Sequence, residues 1–84
     1  MAIYLGILDG TGNTFGVRVR VPDLPGVNGG GDSPAAAIAD AISAAREWVA
    51  HHVAKDAAIP APRALDLIER EMEPGERVVE IPVD

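Results

Sequence analysis

Cysteine is absent from this sequence of 84 residues, so neither a disulfide nor a thiolate metal site can stabilise the fold. The absence suits a reducing compartment, and we expect a cytoplasmic protein. The sequence also lacks a long apolar run and a basic–apolar leader, so we expect neither a membrane-spanning segment nor export. A chain this short buries only about 60–65% of its unfolded surface, so its core is small and self-association would stabilise it.

Positive charge is scarce as well. The chain carries 7 lysines and arginines against 13 acidic residues, which gives a formal net charge of -6. Such a surface repels nucleic-acid phosphates, so we expect no direct nucleic-acid binding by this chain alone. A basic protein partner is easier to accommodate, although the same charge also serves plain solubility.

The N-terminal part of the chain is typical of β-structure. Met1 to Leu8 is a short apolar run with β-branched residues, which predicts a strand. Residues 9–13 are dense in turn formers. From Thr14 to Val21 apolar residues alternate with glycine and arginine, which predicts a half-buried second strand antiparallel to the first. Because the first strand is apolar at nearly every position, we predict that it lies centrally in the sheet.

A proline-rich corner follows, with the sequence Val21-Pro22-Asp23-Leu24-Pro25-Gly26-Val27. The two prolines each fix φ, and the residues before them stay extended. The glycine permits a backbone angle that other residues avoid. The heptapeptide therefore predicts a rigid, apolar corner between strand and helix.

A run of glycines separates this corner from a long helix. Residues 28–32 predict a short edge strand or an open loop. Glycine-rich runs before helices also bind phosphate, but the Walker pattern is missing and Asp32 would repel an anion. Ser33 is a good N-cap and Pro34 a good first helical residue, so we predict that the helix begins here.

The long helix should end near Ala54 to Asp56. Trp48 flanks its apolar stripe, which predicts a position at the core edge or in a dimer contact. His51 and His52 point about 100° apart and cannot chelate one metal well, so we predict no metal and no cofactor. The predicted buried stripe consists of Ile38, Ala41, Ile42, Ala45, Val49 and Val53.

The C-terminal part predicts an extended spacer, a short helix and a last strand. The helix spans Ala64 to Met72, with Leu65 and Ile68 inward. The strand, Arg77 to Val83, contains Pro82 and therefore belongs at a sheet edge or near its own end. An exposed edge invites pairing with a copy, so we expect a homodimer or tetramer. The expected dimer contacts are Trp48, Val79, Ile81 and Val83.

The overall prediction is an α+β layer of order β-β-(β)-α-α-β, with a long helix on one face of a small antiparallel sheet. Catalytic patterns are missing from it. A metal-dependent nuclease of RNase H type needs converging carboxylates, whereas the first strand carries no acid and Asp9 lies past its predicted end. No serine–histidine–acid pattern is present either. We therefore predict no catalytic residue and no enzyme.

Four landmarks in order resemble the HicB antitoxins: the Pro22-Asp23-Leu24-Pro25-Gly26 corner, Gly31-Asp32-Ser33, Ala37-Ile38 and Ile59-Pro60-Ala61-Pro62. The resemblance runs from about Ile3 to Val83. It implies a partial RNase H-like domain that binds and neutralises a HicA-type toxin, a small basic ribonuclease. Many HicB-type antitoxins add a C-terminal DNA-binding module; here we expect one domain over residues 1–84 without it. The alternative is a catalytically inactive RNase H-like scaffold that self-associates or binds an unrelated protein.

Acidic side chains are the candidates for contacting a basic toxin. Two of them are expected in loops at the ends of the hairpin, one at the mouth of the long helix, and three on the short helix. Each also has a purely structural explanation as a turn former, a cap or a solvated helix face. The candidates are Asp9, Asp23, Asp32, Glu69, Glu71 and Glu73.

Overall fold

The computed structural model of the chain describes residues 2–10 and 16–83, which form four strands and two helices. Their order confirms the predicted α+β arrangement, and the third strand, which the sequence left open, is present. The elements are β1 (Ala2–Asp9), β2 (Val17–Arg20), β3 (Asn28–Gly31), α1 (Pro34–Ala54), α2 (Leu65–Glu69) and β4 (Arg77–Val83).

The strands form one antiparallel sheet in the order β3-β2-β1-β4. As predicted, β1 is central, and β4 with its Pro82 is an edge strand. β2 is shorter than expected, because Val21 has left the ladder and belongs to the corner. The Thr14 and Phe15 part of the predicted strand lies outside the described residues.

The two faces of the sheet differ in what covers them. On the inner face, Tyr4, Leu8 and Val19 join Ile81 and other buried residues in the main core beneath α1. The opposite side, called the outer face below, carries Ile7, Arg20 and Glu80 among others, because side chains alternate along each strand.

The helix α1 begins and ends where the sequence predicts. Ser33 Oγ accepts a hydrogen bond of 3.2 Å from the amide of Ala36, and Pro34 starts the helix. The predicted stripe, however, is wrong in detail. Its fully buried residues are Ala37, Ala41 and Ala45, whereas Val53 is 63% exposed. The larger residues Ile38, Ile42 and Val49 flank this alanine line and are half-buried.

The glycines of β3 explain why alanines lie at the centre of this contact. A Cβ atom on Gly29 would lie 2.3 Å from the amide nitrogen of Ala41 and 2.5 Å from the carbonyl oxygen of Ala37. Those atoms belong to the helix backbone, so they cannot move out of the way by a change of side-chain rotamer. The helix therefore sits on the three glycines of β3, and only small residues fit between them.

The segment after α1 crosses the sheet to its outer face. Ile59 packs against the main core, and the Tyr4 hydroxyl donates a hydrogen bond to the carbonyl of Pro60. α2 then contacts β1, and the side chain of Arg20 on the outer face donates to the carbonyl oxygen of Glu71 just beyond α2. Among the described residues, no helix is long and apolar enough to cross a membrane.

α2 is shorter than the predicted Ala64–Met72 helix. Ile68 is fully buried, as predicted, but Leu65 is 50% exposed rather than inward. Ile68 lies outside the main core, so α2 is anchored to the outer face by a small apolar contact of its own.

Candidate protein-binding surfaces

The corner before β3 is a hydrogen-bonded unit. The amide of Val21 donates to the carbonyl of Val27 at 3.1 Å, and the amide of Leu24 donates to the carbonyl of Val21 at 3.0 Å. Gly26 has a φ of 83°, which confirms that the position favours glycine. Leu24 is completely buried, so the corner is locked to the core by its own apolar side chain.

Asp23 in this corner is buried and paired, in contrast to the loop acid expected from the sequence. Its Oδ2 accepts a hydrogen bond of 2.8 Å from the amide of Arg63, and its Oδ1 forms an ion pair with Nε of the same arginine. The guanidinium also pairs with Glu71 Oε2 at 2.7 Å. These hydrogen bonds, first to Asp23 and then to Glu71, raise the pKa of Arg63. Two of the predicted toxin-contact acids thus share one arginine.

A second arginine anchors the turn before β4. Arg20 Nη1 lies 2.7 Å from Glu76 Oε2, and Arg20 Nη2 lies 3.1 Å from Glu76 Oε1. The hydrogen bond from Arg20 lowers the pKa of Glu76, and the amide of Glu73 also donates to Glu76 at 2.7 Å. Neither Arg20 nor Arg63 stood out in the sequence, because Glu76 lies 56 residues from Arg20 and Asp23 lies 40 residues from Arg63.

Asp9 and Asp32 are brought together on an open groove floored by the β3 glycines. Asp9 ends β1 opposite Arg18 rather than lying past the strand, which corrects the predicted strand end. Asp40 of α1 reaches the same groove and accepts a 3.0 Å hydrogen bond from the amide of Gly30. Because Arg18 and Arg20 also line the groove, its charge is mixed.

Around α2 the acids outnumber the arginines. Residues 64–80 contain six acidic residues and two arginines, so this segment carries -4 of the net charge of -6. Glu71 and Glu76 are paired as described above. Within the described part of the chain, the carboxylates of Asp66, Glu69, Glu73 and Glu80 take part in neither an ion pair nor a side-chain hydrogen bond.

The side chains expected at a dimer contact are mostly used inside the chain. Ile81 and Val83 are 0% and 4% exposed, because they point from β4 toward α1. Val79 is half-buried against the same core. Trp48 also packs against this core, and its ring stacks on that of His52 with centroids 3.6 Å apart. The groups of the sheet that could pair with a second copy are the outward-facing backbone amides and carbonyls of β4.

The two histidines do not form a metal site with other ligands. The rings of His51 and His52 meet edge to face with centroids 5.7 Å apart. Across residues 2–10 and 16–83, no group of three or more histidine, cysteine or acidic side chains is arranged to hold a metal ion.

Comparison with known proteins agrees with this architecture. A family model described as the HicB_like antitoxin of bacterial toxin-antitoxin systems matches residues 4–84. The crystal structure of the N-terminal domain of Burkholderia pseudomallei antitoxin HicB is similar, with 20% identity, a TM-score of 0.75 and 98% of each chain covered. So is a structure of the HicA3 and HicB3 toxin-antitoxin complex, with 19% identity, a TM-score of 0.73 and 98% of each chain covered. No curated protein matches the sequence.

Proposed function

Because this chain belongs to the HicB-like antitoxin family, we propose that it binds a small, basic HicA-like ribonuclease and neutralises it by covering its RNA-binding and catalytic surface. The family match over residues 4–84 is the observation that carries the proposal. It is supported by the similar fold of a chain taken from a toxin–antitoxin complex. The site of action would be the bacterial cytoplasm.

Charge supplies an independent physical reason for such a partner. A protein that grips RNA presents lysines and arginines to its phosphates. A chain with a net charge of -6 is attracted to that surface over distances near the Debye length. Apolar contact would contribute most of the affinity, while charge sets the rate of association and the choice of partner.

We also infer that the chain itself does not cleave RNA. On β1 the only acid is Asp9, at the end of the strand and opposite Arg18. The purified protein should show no metal-dependent cleavage of RNA or of an RNA–DNA hybrid. Cleavage that survives repurification and disappears in Asp9→Asn would contradict this inference.

The test of the antitoxin function is co-expression with whichever small, basic protein the neighbouring genes encode. We expect that protein to arrest growth alone, and growth to return when this chain is produced with it. A tagged copy of the chain should retain it in a pull-down. The association rate should fall clearly between low and physiological salt while the complex stays intact. A neighbour that is harmless, or toxic but neither bound nor neutralised, would leave the self-associating scaffold as the better explanation; the open edge of β4 is the feature that favours it.

A further inference from the structure

We propose that the toxin docks on the outer face around α2, which we call the α2 surface: Ile3, Leu65, Leu67, Asp66, Glu69, Glu73 and Glu80. This inference rests on the proposed function and adds the location of the interface. The occupant is a basic, RNA-binding protein and not a second copy of this chain.

Exposed apolar side chains concentrate on this side of the molecule. Four large hydrophobic residues are exposed among the residues that the structure describes, and three of them belong to the outer face or to α2. Leu65 and Leu67 flank the buried Ile68 on α2 and are 50% and 39% exposed. Ile3 is 42% exposed on β1, beside Pro82 of β4. Such side chains are the usual anchors of a protein interface.

The charge of the same region selects the partner. Residues 64–80 carry -4, of which Arg63 and Arg20 compensate two acids by their ion pairs with Glu71 and Glu76, and the other four carboxylates form no ion pair within the described chain. A second copy would bring the same negative charge to this surface and would be repelled. A basic toxin would instead supply the missing cations, so charge complementarity favours it over self-association here.

The other surfaces fit such a partner less well. On α1 and directly after its end, exposed charges of opposite sign are neighbours, with Arg46 next to Glu47 and Lys55 next to Asp56. The glycine-floored groove is lined by two arginines and three acids, a net charge of -1: Arg18 and Arg20 against Asp9, Asp32 and Asp40. A surface closer to neutral attracts a basic protein less than a surface with a larger excess of acids.

The α2 surface is also held in place before any partner arrives. A helix of five residues is not stable by itself, so α2 depends on its contacts with the sheet. Arg63 ties its N-terminal side to Asp23 in the corner, and Arg20 ties its C-terminal side to β2 through Glu71 and Glu76. Between the contacts of Arg63 and those of Arg20, the side chain of Ile68 is completely buried. A surface fixed in this way loses little conformational entropy on binding.

The test compares how matched substitutions change binding to the purified toxin that the co-expression experiment identifies. Leu65→Asp should raise Kd about tenfold or more, since an anchor is replaced by a charge. Val53→Asp makes the same change at an exposed apolar residue of α1, and its Kd should stay within about twofold. Glu69→Lys should mainly slow association at low salt, whereas Glu47→Lys on α1 should not.

The outcomes separate the two proposals. If the unmodified chain does not bind the toxin, the antitoxin function itself fails. If it binds, and Leu65→Asp and Glu69→Lys behave like their controls, the toxin docks elsewhere and the α2 surface is wrong. Loss of binding in Asp32→Lys alone would assign the interface to the groove. Should Leu65→Asp reduce self-association in sedimentation without changing toxin binding, the occupant is a second copy. Urea midpoints identify any variant that does not fold. If Leu65→Asp does not fold, binding by Glu69→Lys tests the α2 surface, because that substitution changes only an exposed charge.

Discussion

Gly29 is the residue on which the packing of α1 against β3 depends. A side chain there would collide with helix backbone at 2.3 Å, so the helix would have to move away from the sheet. We expect Gly29→Ala to lower the free energy of unfolding by about 1–3 kcal/mol. Gly30→Ala is the control, because its Cβ would meet nothing closer than 3.6 Å, and its effect should stay within about 0.5 kcal/mol. Urea unfolding measures both, and equal midpoints would contradict the close contact.

Glu76 is the residue whose titration should link stability to pH. Its hydrogen bonds with Arg20 lower its pKa in the folded state below the ordinary value of 4.5. The stabilisation is therefore present above the unfolded-state pKa and is lost as pH falls through the lowered folded-state pKa. We expect Glu76→Gln to lower the urea midpoint at pH 7 and to reduce the further loss of stability as pH falls below the ordinary pKa of 4.5.

The control for this titration is Glu47→Gln, which removes an exposed carboxylate of α1. Its urea midpoint at pH 7 should stay close to that of the unmodified chain, since it changes an exposed side chain. A Glu76→Gln variant that also follows the unmodified chain would show that the ion pair with Arg20 adds nothing to stability.

At the scale of elements, α2 has the least support of its own. It has five residues and no side-chain cap, and one completely buried residue, Ile68, joins it to the sheet. Ile68→Ala should cost about 2–5 kcal/mol, since it removes that side chain and leaves a cavity. Leu67→Ala shortens a neighbour that is 39% exposed and should cost clearly less. Hydrogen exchange of the α2 amides should speed up in the Ile68 variant in particular, and equal exchange in both would contradict the anchoring role.

The two edges of the sheet are protected to different degrees. At the β3 edge, Asp40 accepts the hydrogen bond of the Gly30 amide, and α1 packs directly on the strand. β4 pairs with β1 along its whole length, and its other side has no strand beside it in the described chain. Proline lacks an amide donor, so the Pro82 position faces this free side, and alternation places Val78 and Glu80 there too.

At the scale of the whole molecule, we propose that two copies associate through the free edge of β4. The core of an 84-residue chain is small, and an open strand edge of seven residues offers main-chain hydrogen bonds to a copy. Sedimentation equilibrium at micromolar concentration should show a dimer or tetramer. Val78→Pro removes an outward amide donor without touching the ladder to β1 and should shift the distribution toward monomer. A purely monomeric unmodified chain would rule this association out.

The element order, the start of α1 at Ser33 and Pro34, the bend at the proline corner and the edge position of β4 were all predictable from the sequence. They depend on periodicity, capping and proline geometry, which act over a few residues. Local patterns also identified the acidic residues that are candidates for contacting a partner, but they could not show which of these form ion pairs within the chain. The sequence predicted that Asp23 is a loop residue, whereas in the fold it pairs with Arg63, which lies 40 residues away in the chain.

Only the tertiary structure decided which face of α1 is buried, because the alanine line follows from the missing side chain at Gly29 on another element. It also decided that α2 lies across the sheet from α1 and that the side chains of Ile81 and Val83 are buried in the core. Which faces and side chains are buried depends on contacts between residues far apart in the chain. The energies of these contacts exceed the local conformational preferences. The sequence by itself determined the order of the elements and the family resemblance; the packing between elements determined which side chains remain available for binding.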